Sequence, residues 1–145
     1  MASAITMSHA AAPASDHRSA ARRRILLFAV AMSAIGLGTV IGPGTAFLIV
    51  DPDLVRLLHF MAVLKGAFAL LAFGISYWRL ERPAALWREV VYVVGPGLMV
   101  GGALCLWQLQ SAGLAAAGLH IGLFALLAAA LTDGAFIPRL VRPAA

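Results

Sequence analysis

The feature that most constrains this chain is a series of four apolar runs, each near the length that crosses a lipid bilayer. The runs cover residues 25–50, 54–78, 86–107 and 112–131. A helix needs about 20 residues to cross a hydrocarbon core that is about 30 Å thick. Inside lipid, every backbone amide must be paired within its own segment, so such runs form helices. The sequence therefore predicts an all-α integral membrane protein.

The composition and the connections refine this prediction. Hydrophobic residues make up 62% of the 145 residues and charged residues 12%, whereas a soluble domain carries about 25% charged residues. The connections at 51–53, 79–85 and 108–111 are short, which favours antiparallel neighbours. We therefore predict one domain over residues 22–138, an up-down four-helix bundle.

The segments outside this domain are predicted to be tails. Residues 1–21 are rich in alanine, serine and proline, which predicts a disordered N-terminal tail, and residues 139–145 form a short basic C-terminal tail. The arginines Arg22–Arg24 before the first run are also typical of a signal peptide. The run is about 25 residues long against the usual 7–15, so we predict that the first helix is retained.

Arginine is distributed unevenly between the two predicted membrane surfaces. One surface holds nine arginines and the other holds Arg56. Because positive residues favour the cytoplasmic side, we predict a multi-pass protein of the cell (inner) membrane with both termini cytoplasmic. An arginine collar facing anionic headgroups also explains the net charge of +5 without nucleic acid as a partner. The nine arginines are Arg18, Arg22, Arg23, Arg24, Arg79, Arg82, Arg88, Arg139 and Arg142.

His59 and His120 are the most specific candidates for a cofactor site. Their helices both start at the outer surface, and both residues lie roughly 8–12 Å below it at 1.5 Å per residue. Imidazole is a common metal ligand, and facing helices of a bundle often hold a cofactor. We predict that the pair ligates haem b, with Gly66 leaving room for a flat group, in electron transfer between quinone and an outer acceptor. The alternative is that each histidine is interfacial or bonds a neighbouring helix.

Two further features bear on this prediction. Cys105, in the outer half of the third helix, would complete a copper or zinc site with His59 and His120, although a lone membrane cysteine usually acts as a small hydrophobe. Gly118 and Gly122 lie about 160° around their helix from His120, at about 100° per residue. Either the histidine or the glycine pair therefore faces the protein core.

Lys65 lies near the middle of the second helix, where a charge costs about 2.5–3.5 kcal/mol. The acidic residues, Asp133 included, are predicted to lie at the membrane surfaces, solvated or as caps. Pro96 has no amide hydrogen, so the Tyr92 carbonyl loses its helical donor. One hypothesis is that Lys65 binds this carbonyl or an anionic ligand. The alternative is a neutral lysine, or one that extends to an interface or a partner subunit.

Two Gly-Pro-Gly elements, at 42–44 and 95–97, overlap pairs of small residues. We predict that they are packing motifs with a kink; the alternative is a broken-helix transport site. The predicted packing residues are Gly38, Gly42, Pro43, Pro96, Gly97, Gly101, Gly118 and Gly122.

The predicted function follows from these few polar groups. The sequence has no phosphate-binding loop, nucleophile elbow or paired carboxylates, which favours a protein without catalytic activity of its own. We expect a small membrane subunit or helper protein that packs against itself or within a larger membrane complex, with the haem site as its electron-transfer component. The alternatives are a transporter or channel component that uses Lys65, and a purely structural assembly subunit.

Overall fold

The computed structural model describes residues 13–40, 51–109 and 112–134, and their secondary structure is entirely helical, with no strand in these ranges. All four helices are long and apolar enough to cross a membrane. The prediction of an all-α, multi-pass membrane protein is therefore confirmed. The helices are α1 (Pro13–Val40), α2 (Pro52–Arg79), α3 (Leu86–Trp107) and α4 (Ala112–Thr132).

The main difference from the predicted bounds is at the start of α1. This helix begins at Pro13, within the segment predicted to be a disordered tail. Proline is favoured at the first helical position and alanine, frequent in this segment, has the highest helix propensity. The predicted kink at Gly42 and Pro43 and the predicted C-terminal tail lie outside the described residues.

α3 is the central helix of the fold. It packs against α1, α2 and α4, whereas α2 and α4 barely touch each other. An ion pair joins the start of α3 to α1, a hydrogen bond joins it to the end of α4, and Arg79 joins the end of α2 to Asp133 directly after α4. We call this end of the molecule the arginine-rich end.

The buried positions of α1, α2 and α4, the three helices that pack around α3, repeat at spacings of three, four or seven residues. This is the heptad spacing that keeps one seam of a helix against its neighbour. Most members of these seams are small, which lets the helix backbones approach closely. The seams are Ala20, Leu27, Ala31 and Gly38 in α1, Ala62, Ala69 and Ser76 in α2, and Ala115, Leu119, Gly122, Leu126 and Ala129 in α4.

The closest approach is between α3 and α4. A methyl group added at Gly102 would lie 2.6 Å from the Ala115 carbonyl oxygen, and one added at Gly122 would lie 2.7 Å from the Gly95 carbonyl oxygen. Because the obstacles are backbone atoms, no side-chain rotation relieves these clashes. Gly122 therefore faces α3, and His120 is exposed on another face of α4.

Candidate functional site

A cluster of polar side chains joins three helices at the arginine-rich end. Arg79 ends α2, and Asp133 directly follows α4. The guanidinium donates from Nε to Oδ2 of Asp133 at 2.6 Å and from Nη2 to Oδ1 at 3.0 Å. The Tyr92 hydroxyl on α3 donates to the same Oδ2 at 3.2 Å, and Arg88 Nη1 lies 3.7 Å from Oδ1. Arg79, Tyr92 and Asp133 are buried.

The arginines of this cluster also bind backbone carbonyls. Arg88 Nη2 donates to the Thr132 carbonyl at 2.6 Å, and Arg79 Nη1 donates to the Arg82 carbonyl at 3.0 Å. The last carbonyls of a helix lack intrahelical donors and carry partial negative charge. Arg88 therefore stabilises the end of α4 in addition to its contact with Asp133.

The start of α1 joins the same end of the molecule. Arg23 Nε lies 3.3 Å from Glu89 Oε1, and Arg23 Nη1 donates to the Leu80 carbonyl at 3.4 Å. Arg24 Nη2 lies 3.3 Å from Glu81 Oε1. Charged contacts thus connect all four helices at the arginine-rich end.

This arrangement corrects the prediction that Asp133 is solvated or caps a helix, because its carboxylate is buried against Arg79. Its carboxylate receives two donors from Arg79 and one from Tyr92, so its lone pairs are used in fixing helix ends. The sequence offered one signal that was missed: Arg79 and Asp133 have opposite charge and end two helices on the same predicted surface. The cluster positions helices, and chemistry must be sought among the residues within the membrane.

His59 contacts α3 near the end opposite the arginine-rich end. Its Nε2 lies 3.0 Å from the Trp107 carbonyl oxygen, and its ring stacks on the Trp107 indole with centroids 4.3 Å apart. Since a carbonyl oxygen only accepts, this geometry places the ring hydrogen on Nε2. The His59 nitrogen that faces α3 is therefore used in joining α2 to α3.

His120 has different neighbours. It is exposed on α4, its Nδ1 lies 2.6 Å from the Ala116 carbonyl of its own helix, and its ring centroid is 6.2 Å from that of Phe124. Cys105 is a half-buried free thiol. No group of three metal-ligating side chains occurs within the described ranges. Ligation of haem b by His59 and His120, and the copper or zinc site with Cys105, stay predictions.

Lys65 lies midway along α2 and is half-buried. Among residues 13–40, 51–109 and 112–134, no carboxylate and no hydrogen-bond acceptor contacts its ammonium group. The bond from Lys65 to the Tyr92 carbonyl therefore stays a prediction; the Tyr92 hydroxyl binds Asp133. Lys65 is thus a lysine midway along α2 without an acidic partner among the described residues.

Two apolar grooves flank α3. A groove of about 510 Å³ lies between α1, α3 and α4, and Gly38, Gly97, Gly101, Gly118 and Cys105 are among its lining residues. A second groove, of about 400 Å³, lies between α2 and α3 and includes Gly66. A methyl group at Gly66 would meet no atom within 4 Å.

The chain matches no protein family, and comparisons with curated proteins and with solved structures also give no match.

Proposed function

We propose that this protein is a small membrane subunit or helper protein without catalytic activity of its own, which assembles with other chains through α2. The observation that carries this proposal is that Lys65 has no acidic partner among the described residues. The described carboxylates of Glu81, Glu89 and Asp133 pair with arginines inside the protein. Lys65 has no such partner among the described residues, although a charge is most costly at its position.

The exposed surface of α2 is consistent with this role. The helix buries only Ala62, Ala69, Ser76 and Arg79. Large apolar side chains elsewhere on it are exposed, and Gly66 and Gly74 have open space beside them. A lipid-facing helix needs apolar residues, but it needs neither glycines nor a central lysine. Small residues beside a polar one are typical of helix–helix contacts in membranes.

We further propose that the arginine-rich end, with both termini, faces the cytoplasm of the inner membrane. Arginine–aromatic contacts concentrate at this end: Arg24 lies 4.4 Å from the Tyr77 ring centre, Arg82 5.4 Å from that of Trp78, and Arg88 5.3 Å from that of Trp87. Aromatic rings prefer the membrane interface, and arginine is enriched on the cytoplasmic side. This combination supports the proposed orientation.

Two experiments test the proposal. The first is extraction from native membranes into lipid nanodiscs without detergent, followed by mass determination. We expect a mass well above that of one chain, and a single chain alone would overturn the assembly role.

The second experiment tests the orientation with a pair of C-terminal fusions, to a fluorescent protein that folds only in the cytoplasm and to a phosphatase active only outside it. Activity of the phosphatase fusion would overturn the orientation.

A transporter or channel component is the second candidate, because the same unpaired Lys65 would attract an anionic substrate within the membrane. Flux of small anions into vesicles that contain the purified protein distinguishes it. If flux occurs and Lys65→Met abolishes it, transport replaces assembly as the role of Lys65.

A further inference from the structure

The depth of Lys65 prevents its ammonium group from reaching water along its own helix. The residue lies midway between Pro52 and Arg79, so each end of α2 is about 20 Å away at 1.5 Å per residue. Long cationic side chains near a helix end extend to the interface, but lysine has a stem of only four carbons. A charged Lys65 therefore needs a counter-charge that lies within the membrane.

The direction of Lys65 on α2 follows from its neighbours. The buried Ala69 marks the face toward α3. At about 100° per residue, Phe73 is rotated about 40° from Ala69 to one side and contacts Phe28 of α1. Lys65 is rotated about 40° from Ala69 to the opposite side. Arg79 lies on that same side and binds Asp133, which directly follows α4. Lys65 therefore lies toward the side of α2 that faces α4.

That side of the protein is open and uncharged at the level of Lys65. α2 and α4 barely touch, and their described contact is strongest at the arginine-rich end. The sequence of α4 has no ionisable residue between His120 and Asp133. No side chain in this part of α4 can therefore neutralise Lys65.

The residues around Lys65 repeat with the spacing of a helix-packing seam. Met61, Lys65, Phe68, Ala72 and Ile75 follow one another at alternating intervals of four and three. Met61, Phe68 and Ile75 are exposed. Alternating spacings of this kind present one face to a neighbouring helix, with a single polar position that sets the register. This seam lies beside the one that α2 uses against α3, and no helix in the described protein covers it.

The sequence shows that a second copy of this chain cannot supply the counter-charge. It contains six acidic residues: Asp16, Asp51, Asp53, Glu81, Glu89 and Asp133. None lies near the middle of a membrane-spanning helix. A second copy would bring another lysine to the same depth, and like charges at a helix contact repel.

We infer that Lys65 is the docking point for a transmembrane helix of a different protein, one that carries an aspartate or glutamate near its middle. This inference rests on the proposed assembly role and specifies the partner. The carboxylate accepts from the lysine ammonium in a low-dielectric medium, where the attraction between opposite charges is strong. The partner's apolar residues pack against Met61, Phe68 and Ile75, while the charge pair sets the depth and register of the two helices.

The inference is tested with the full-length protein in phosphatidylcholine vesicles and synthetic helices of leucine and alanine. Three labelled peptides differ only at the central residue, which is glutamate, glutamine or leucine, and association is measured by energy transfer. We expect the glutamate peptide to bind about tenfold more tightly than the leucine peptide, equivalent to one good interhelical hydrogen bond. Lys65→Met should remove this preference for glutamate. The control is Arg56→Met, which removes a positive charge near the start of α2 and should retain the preference.

A charge reversal provides an independent arm. Lys65→Glu should bind a peptide with a central lysine and lose its preference for the glutamate peptide. Lys65→Met removes a costly group from the membrane, so we expect this variant to insert and fold, as circular dichroism will show. Equal binding of the glutamate and leucine peptides, or a preference that survives Lys65→Met, would overturn the inference.

The native assembly separates this inference from the proposed function. If the wild-type protein occurs in a larger assembly that Lys65→Met does not disrupt, the docking role of Lys65 is wrong and the assembly role stands. If the wild-type protein is a single chain in native nanodiscs, both are wrong.

Discussion

Arg79 and Asp133 form a bidentate ion pair although 54 positions separate them in the sequence. Only 4% of the Arg79 side chain and 3% of the Asp133 side chain are exposed. The pair connects the end of α2 to the end of α4, two helices that barely touch elsewhere. Tyr92 adds a third donor from the central helix. Charged contacts therefore join the helices at the arginine-rich end, in addition to the packing along their length and the His59–Trp107 hydrogen bond near the opposite end.

We expect Asp133→Asn to destabilise the protein strongly. Removing one partner of a buried pair costs about 3–5 kcal/mol, because the remaining charge stays buried without compensation. The measurement is unfolding in detergent micelles, followed by circular dichroism. Asp53→Asn is the matched control, because its pair with Arg56 is exposed and exposed pairs contribute little. Equal effects of the two substitutions would contradict the importance of the buried pair.

Removing both charges should be milder than removing one. In the double variant Arg79→Met with Asp133→Leu, neither member of the pair is left buried without the other, and apolar replacements of buried pairs are often neutral. The remaining costs are the lost acceptor of Tyr92 and the lost contact of the partly exposed Arg88. We expect the double variant to unfold at a higher temperature than Asp133→Asn. A double variant as unstable as the sum of its two single variants would show that the residues act independently.

Tyr92→Phe tests the third donor of the cluster. The substitution removes the hydroxyl that binds Asp133 at 3.2 Å and keeps the buried ring. Loss of one hydrogen bond to a charged group should lower the free energy of unfolding by about 1.5–3 kcal/mol. Tyr77→Phe serves as the control, since Tyr77 contacts Phe28 and Arg24 through its ring. An effect of similar size at Tyr77 would indicate a general loss of hydroxyl solvation instead.

Gly122→Ala and Gly66→Ala should have opposite effects. The methyl group at residue 122 would lie 2.7 Å from the Gly95 carbonyl oxygen, so α4 must move away from α3, at a cost of about 1–3 kcal/mol. The methyl group at residue 66 meets nothing within 4 Å, and alanine favours a helix by about 0.5–1 kcal/mol. Thermal unfolding of the two variants checks both signs. A destabilised Gly66→Ala variant would mean that α2 packs more tightly around residue 66 than described.

The two histidines should differ in their effect on stability. His59→Ala removes a hydrogen bond and a stacked ring at Trp107, which should lower the free energy of unfolding by about 1–3 kcal/mol. His120→Ala alters an exposed group that bonds its own helix, so stability should change little. An absorption spectrum of protein expressed with sufficient haem tests the cofactor prediction in parallel. A Soret band that both substitutions abolish would establish bis-histidine haem and displace the structural role of His59.

The sequence predicted four helices because each apolar run has the length of a membrane-spanning helix. The predicted bounds lie within two residues of those observed for α2, α3 and α4, whereas α1 begins 12 residues earlier than predicted. It did not predict the central position of α3, because all four runs are similarly apolar along their length. The faces of α3 differ more in hydrophobicity than those of α1, α2 or α4, and this signal was missed. Only the contacts of Gly102 and Gly122 with backbone atoms identify the tightly packed face.

The site was predicted less well than the helices, and the reason is geometric. His59 and His120 were expected at a similar depth, but depth does not determine which way a residue points around its helix. The Arg79–Asp133 pair was missed because both residues lie at helix ends, where charges are common and usually solvated. Lys65 was recognised from the sequence alone because a charge in the middle of an apolar run is rare wherever it points.

The separation of Arg79 from Asp133 along the chain also has a consequence for biosynthesis. Ribosomes release α2 before α4, so Arg79 emerges long before the carboxylate that compensates it. During this interval the Arg79 guanidinium lacks the Asp133 carboxylate, and the ion pair that connects α2 to the end of α4 cannot form. A chain that stops short of residue 133 would keep this defect permanently. The ends of α2 and α4 can therefore be joined by this ion pair only after Asp133 has been synthesised.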